Sequence, residues 1–161
     1  MTRWTVWKAI DGLRLRLVAG NTGLCAILFN DSGPEVPGRD DSHPVLLEAA
    51  DQLRAYFAGS LREFSLPLEM SGTDFQLRVW RKLREIPYGE TWSYRDLAAA
   101  VGNPAAVRAV GAANGANPLP VVIPCHRVIG SNGKLVGYGG GLPLKKRLLE
   151  IERTTRPGTL F

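Results

Sequence analysis

Cys125 and His126 stand side by side in Pro124-Cys125-His126-Arg127-Val128, directly after the apolar run Val121-Val122-Ile123. A cysteine attacks as thiolate, and a neighbouring cation, a base or a helix N-terminus favours that ionised form. His126 and Arg127 supply candidate partners within two residues. The competing reading is a buried cysteine that behaves as a small hydrophobe, and for an arbitrary cysteine that reading is much the commoner. Cys25, the only other cysteine, falls among Leu24, Ala26 and Ile27 in a strand pattern and reads as core. Cys25, His43, Cys125 and His126 are the only soft ligands, and neither CxxC nor HxxxH occurs, so no metal site is expected.

The elements that must hold this cysteine are legible in outline. Trp4 to Ile10, the alternating Leu13-Arg14-Leu15-Arg16-Leu17 and Leu24 to Phe29 read as three strands of a small antiparallel sheet, joined by Asp11-Gly12 and Asn21-Thr22-Gly23 turns. Asn30 to His43 is a loop, rich in Asp, Ser, Gly and Pro. A helix then opens at Pro44, carries the stripe Leu46, Leu47, Ala50, Leu53, Tyr56 and Phe57, and ends at Gly59. A boundary is expected between Pro67 and Thr73.

Beyond it, Thr73 with Gln76 and Ser93 with Asp96 form two capping-box patterns, each followed by apolar residues at helical spacing. Gly102-Asn103-Pro104 separates the second of these helices from one running about Ala105 to Asn114, which resembles a helix-turn-helix. That last helix is nearly without bulk and carries one charge, Arg108. Small residues such as Ala109 and Ala113 let its backbone approach a neighbouring helix or a nucleic acid. A final helix is expected over Pro143 to Glu152.

Size and charge narrow the function classes. At 161 residues and 45% hydrophobic the chain can bury one core or two small ones. Met1 to Leu13 carries Arg3, Lys8 and Asp11, unlike a secretory signal, and no run approaches the ~18 apolar residues of a membrane span. A cytoplasmic, soluble protein with reduced thiols is expected. Residues 1–71 hold seven Lys or Arg against nine Asp or Glu, whereas residues 72–161 hold thirteen against six. The basic half is the one with Cys125, and such a concentration favours a polyanionic partner.

Several separated segments then coincide. Thr73-Asp74-Phe75-Gln76, Ile86-Pro87-Tyr88-Gly89-Glu90-Thr91, Ser93-Tyr94, Arg108-Ala109-Val110-Gly111, Asn117-Pro118, the Cys125 pentapeptide and Gly137-Tyr138 occur in one order across residues 72–152. This stretch resembles the DNA-binding domain of the methylated-DNA-protein-cysteine methyltransferases, which remove alkyl groups from O6 of guanine. Residues 1–71 match only in outline.

The resemblance implies an α+β protein. A small N-terminal α/β domain (antiparallel sheet plus helix, 1–71) precedes a mainly helical C-terminal domain with a winged helix-turn-helix-like DNA-binding motif (72–161). It implies single-turnover transfer to Cys125, with a proton relayed through a water to His126 and Glu152 orienting the imidazole. Without the resemblance Glu152 reads as a surface residue. Arg108 would fill the space left by the flipped base, with Ala109 and Ala113 beside the DNA. Tyr94 would assist extrusion and donate to guanine N3.

The Val128 carbonyl would accept from the exocyclic amine, Tyr138 would line the alkyl pocket, and Asn117 would brace the turn ahead of the cysteine. Gly139 departs from members that carry serine there, and with it a side-chain hydroxyl is lost. Gly137, Gly139, Gly140 and Gly141 read as pocket and turn glycines, since Leu142 breaks GxGxxG. No cofactor is implied. The partner is duplex DNA containing O6-alkylguanine, with O4-alkylthymine a second candidate lesion, and the protein is expected to act as a monomer, with cooperative loading on DNA left open. The alternatives are a non-catalytic alkylguanine-binding protein of the same fold, in which the cysteine is replaced, and a thiol hydrolase, disfavoured because hydrolytic dyads join residues distant in sequence.

Overall fold

The computed structural model describes residues 2–9, 11–29 and 36–155, so Ile10 of the first expected strand, residues 30–35 of the loop and 156–161 of the tail lie outside the described residues. The chain forms two compact units, Met1–Ser71 and Gly72–Phe161. Among the described residues no helix is long and apolar enough to cross a membrane.

The first unit is a three-stranded antiparallel sheet in the order β1 (Arg3–Lys8), β2 (Arg14–Ala19), β3 (Leu24–Phe29), with helix α1 (Pro44–Phe57) against it. Alternation along β2 sends Leu15 and Leu17 into a core shared with Leu46, Leu53 and Tyr56 of α1. Arg16 is also buried, its guanidinium stacked 4.0 Å over the Trp4 ring. Cys25 is only half-buried, against the core position expected for it. The cause is a bulge: Ala19 pairs with Leu24 and Val18 with Ala26, which leaves Cys25 the extra residue and breaks the alternation.

The second unit contains α2 (Asp74–Leu83), β4 (Trp92–Ser93), α3 (Tyr94–Val101), α4 (Val107–Gly115), β5 (Val128–Ile129) and α5 (Leu142–Thr155). Both capping boxes form with their two reciprocal hydrogen bonds. Gly102, at φ 93°, ends α3 in the left-handed conformation that glycine adopts freely, so the chain turns at once toward α4. Helices α2, α3 and α4 pack on one another, and Trp80 of α2 donates its indole N–H to the Ala113 carbonyl at 2.8 Å. Strands β4 and β5 run parallel, with Trp92 opposite Val128 and Ser93 opposite Ile129. That short ladder sets Tyr94, the first residue of α3, beside the segment that follows Cys125.

Candidate active site

Residues 119–128 are buried without a break. Asn117 ties the start of this segment, accepting from the Leu119 N–H at 2.9 Å and donating to the Ile123 carbonyl at 2.8 Å. Inside that clasp Val121 takes φ 73°, a left-handed conformation hostile to a β-branched residue and worth about 1–3 kcal/mol of strain. The Asn117 side chain and the Ile123 N–H to Leu119 carbonyl bond at 2.8 Å hold it there.

Cys125–Arg127 is a single 3-10 turn rather than an extended segment. At three residues per turn, successive side chains point about 120° apart, so each member of the trio faces a different neighbour. His126 and Arg127 both end on Glu152. The imidazole Nε2 lies 2.7 Å from Glu152 Oε2, while Arg127 donates through Nε to Oε1 at 2.7 Å and through Nη2 to Oε2 at 3.1 Å. Arg127 also donates to the Ile86 carbonyl at 2.7 Å and lies over the Tyr88 ring. Arg127 is therefore committed to Glu152, which corrects the expectation that it serves the thiol. Glu152 is buried, not a surface residue, because α5 aims Lys145, Leu148 and Glu152 from one face at the cysteine turn.

Burial decides the ionisation of this cluster. It pushes the Cys125 thiol up to about 11, against the smaller opposing pull of Asn117, of the Lys145 charge and of its own backbone. It pushes His126 below the ordinary imidazole range, overriding the attraction of Glu152. Burial also raises the Glu152 carboxyl, but the hydrogen bonds and charges of His126 and Arg127 outweigh it and bring the group to about 2. The resting site therefore holds a neutral thiol, a neutral imidazole and a carboxylate. A carboxylate only accepts, so Nε2 carries the imidazole proton and Nδ1 is the basic nitrogen.

Lys145 was not singled out from the sequence. Its ammonium is fully buried and donates to the carbonyls of Val128 at 2.7 Å and Val136 at 2.9 Å. It fastens the strand after Cys125 to the loop that carries Tyr138. Burial lowers its pKa, a shift that a Cys125 thiolate would oppose. The one available signal was its place, three residues before Leu148 and seven before Glu152. Lys145→Met should leave both carbonyls without a charged donor and cost about 1.5–3 kcal/mol, measurable by urea unfolding; an unchanged midpoint would remove Lys145 from the scaffold.

Tyr94 is half-buried, and burial together with the Cys125 charge raises its pKa. Tyr138 is pushed well up by burial, then by the charges of Cys125 and Glu152. Tyr94, Asn117, His126, Val128, Tyr138 and Glu152 thus gather around the Cys125 turn, whereas Gly139 is exposed. Arg108 and Ala109 stand on the exposed face of α4. Ala113, expected on that face, turns inward at 3% exposure and packs against Trp80; Ala112 is the exposed small residue in its place.

Residues 74–154 match the family model described as 6-O-methylguanine DNA methyltransferase, DNA binding domain, and residues 14–70 match its ribonuclease-like domain. A methylated-DNA--protein-cysteine methyltransferase of Mycobacterium tuberculosis is 58% identical over 112 residues, covering 70% of this chain and 68% of the relative. The constitutive enzyme of Bacillus subtilis is 59% identical over 111 residues, covering 68% and 67%. The crystal structure of M. tuberculosis O6-methylguanine methyltransferase superposes with a TM-score of 0.86 at 44% identity, covering 98% of this chain and 96% of that one. That of M. tuberculosis OGT in complex with DNA gives 0.83 at 45% identity, covering 99% and 96%.

Proposed function

Since this chain belongs to the methylated-DNA--protein-cysteine methyltransferase family and acts in direct-reversal DNA repair, we propose that it accepts the alkyl group of O6-alkylguanine once, irreversibly, on Cys125. The observation that carries this reading is the buried His126–Glu152 contact at 2.7 Å on the turn that begins with Cys125. It joins nucleophile, base and orienter in the order covalent catalysis needs.

The target atom lies inside the base stack, so the nucleotide must be extruded at a cost of a few kcal/mol. Arg108, on the exposed face of α4, fills the vacated space, and Ala109 and Ala112 let the helix backbone come close to the DNA. The thiol proton passes by way of a bridging water to His126 Nδ1, and Glu152 stabilises the imidazolium. The sulfur then forms a bond to the alkyl carbon as the C–O6 bond breaks, its electron pair leaving with guanine. Tyr94 donates to N3 and stabilises that charge; the imidazolium returns its proton to the departing base.

The Val128 carbonyl has two lone pairs, so holding Lys145 leaves it able to accept from the exocyclic amine. Tyr138 lines the alkyl pocket, and Gly139 contributes a backbone N–H alone. Every residue in this scheme comes from one chain, which supports action as a monomer; a cytoplasmic location belongs to the same reading. A thioether has no easy leaving route. Incubation with excess O6-methylguanine duplex should therefore deposit one methyl group per chain, on Cys125, and stop. Mass spectrometry finding repeated turnover, or the methyl elsewhere, would reject the proposal.

A further inference from the structure

Asn114 belongs to the inward face of α4, at 7% exposure, and its amide is incompletely used. Nδ2 reaches the Cys125 carbonyl at 3.5 Å, the long limit of a hydrogen bond, and Oδ1 is buried with no hydrogen-bond partner among the described residues.

Beside Asn114 lies Tyr94. One turn before Asn114 on the same helix stands Gly111, and a Cβ built there would meet the Tyr94 ring at 3.7 Å and 3.8 Å. The ring therefore lies against α4, on the turn that leads to Asn114. Consistent with this, a hydrogen bond from the Asn114 amide lowers the Tyr94 pKa against the rise that burial causes, the sign of an N–H donated to the phenolic oxygen. One side chain thus lies between the Tyr94 hydroxyl and the backbone of the acceptor cysteine.

We propose that Asn114 is a positioning residue for the transfer reaction: Nδ2 bridges the Cys125 carbonyl and the Tyr94 phenolic oxygen, one N–H to each, so that the Tyr94 O–H stays directed at the pocket and free to donate to N3 of the extruded guanine. The inference rests on the reading of Tyr94 as the donor to the base. Its effect runs through one hydroxyl, so removing that hydroxyl should make Asn114 irrelevant to the rate.

The test is a double-mutant cycle on the full chain, reading the first-order transfer rate under single-turnover conditions with saturating O6-methylguanine duplex. Asn114→Leu, close in shape and without hydrogen-bonding capacity, should slow transfer about tenfold beside Tyr94, as expected for a lost positioning bond. In a Tyr94→Phe background it should change the rate less than twofold. Equal slowing in both backgrounds, or none beside Tyr94, would overturn the inference and leave the Tyr94 role standing. A wild-type rate for Tyr94→Phe alone would instead remove the reading on which the inference rests. If Asn114→Leu does not fold, Asn114→Ala enters the same cycle with the same expected pattern.

Discussion

Cys125→Ser should bind an O6-methylguanine duplex with near wild-type affinity and transfer no detectable methyl. The substitution keeps the shape of the turn, since Cys125 touches the rest of the site mainly through its backbone: its N–H donates to the Ile123 carbonyl at 2.7 Å and its carbonyl accepts from Asn114 and from the N–H of Val128. What changes is the attacking atom. A hydroxyl is much the weaker nucleophile, and the neutral imidazole of His126 is too weak a base to ionise it.

The wild-type thiol is itself far from ionised. At about 11, Cys125 is a thiolate in only about one molecule in ten thousand at pH 7. Transfer must therefore couple deprotonation to attack. Iodoacetamide, which uses only the thiolate already present, should modify Cys125 slowly at neutral pH and faster as pH rises toward 11, with no such rise in transfer to DNA. Gel-shift affinity together with transfer of radiolabelled methyl checks the variant. Methyl transfer by Cys125→Ser would place the acceptor elsewhere.

How much of this could be read from residues alone depended on whether the signal was local. The capping boxes at Thr73 and Ser93 needed only residues three apart, and both form as expected. The three strands and α1 followed from period and from turn residues, and differ from expectation mainly at their ends. The bulge at Cys25 was not legible, because it depends on the register between two strands. Ala113 and Ala112 were confused because a helix of small residues has little hydrophobic contrast to mark its inner face.

Charge misled most. Lys145, Arg127 and Glu152 carry side chains that ordinarily face water, and each is buried only because partners far along the chain meet it: Glu152 is 25 residues from Arg127, and Arg127 is 41 from Ile86. Burying an unpaired charge is prohibitive, so these positions are decided by tertiary pairing that no local pattern announces. Family resemblance supplied the Glu152 assignment; nothing comparable pointed to Lys145 or Asn114.

That same pairing makes Glu152 the residue whose loss should disturb both stability and chemistry. Glu152→Gln keeps the volume but removes the charge that Arg127 and His126 share. Arg127 would then hold a buried guanidinium against a neutral amide, a change expected to cost about 3–5 kcal/mol. The imidazolium formed during transfer would lose its carboxylate, and transfer should slow on the order of 100-fold or more.

The pH dependence of stability carries a separate signature. Glu152 is depressed from the ordinary carboxylate range to about 2, so its contribution is complete above that ordinary range and disappears as pH falls toward 2. His126 is also depressed, so its contribution holds above the ordinary imidazole value and declines as pH falls below it. Both terms make wild-type protein weaken in acid, in two successive windows. Glu152→Gln should remove the Glu152 share of the lower window, reducing the loss of stability between roughly pH 4.5 and 2, and leave the upper one; Asp41, Glu69 and Glu150, also held below the ordinary carboxylate range by their own partners, keep the rest of the slope. Urea unfolding across pH with single-turnover assays reads both effects. Transfer within threefold of wild type, or an unaltered acid slope, would mean that the carboxylate neither orients the base nor holds Arg127.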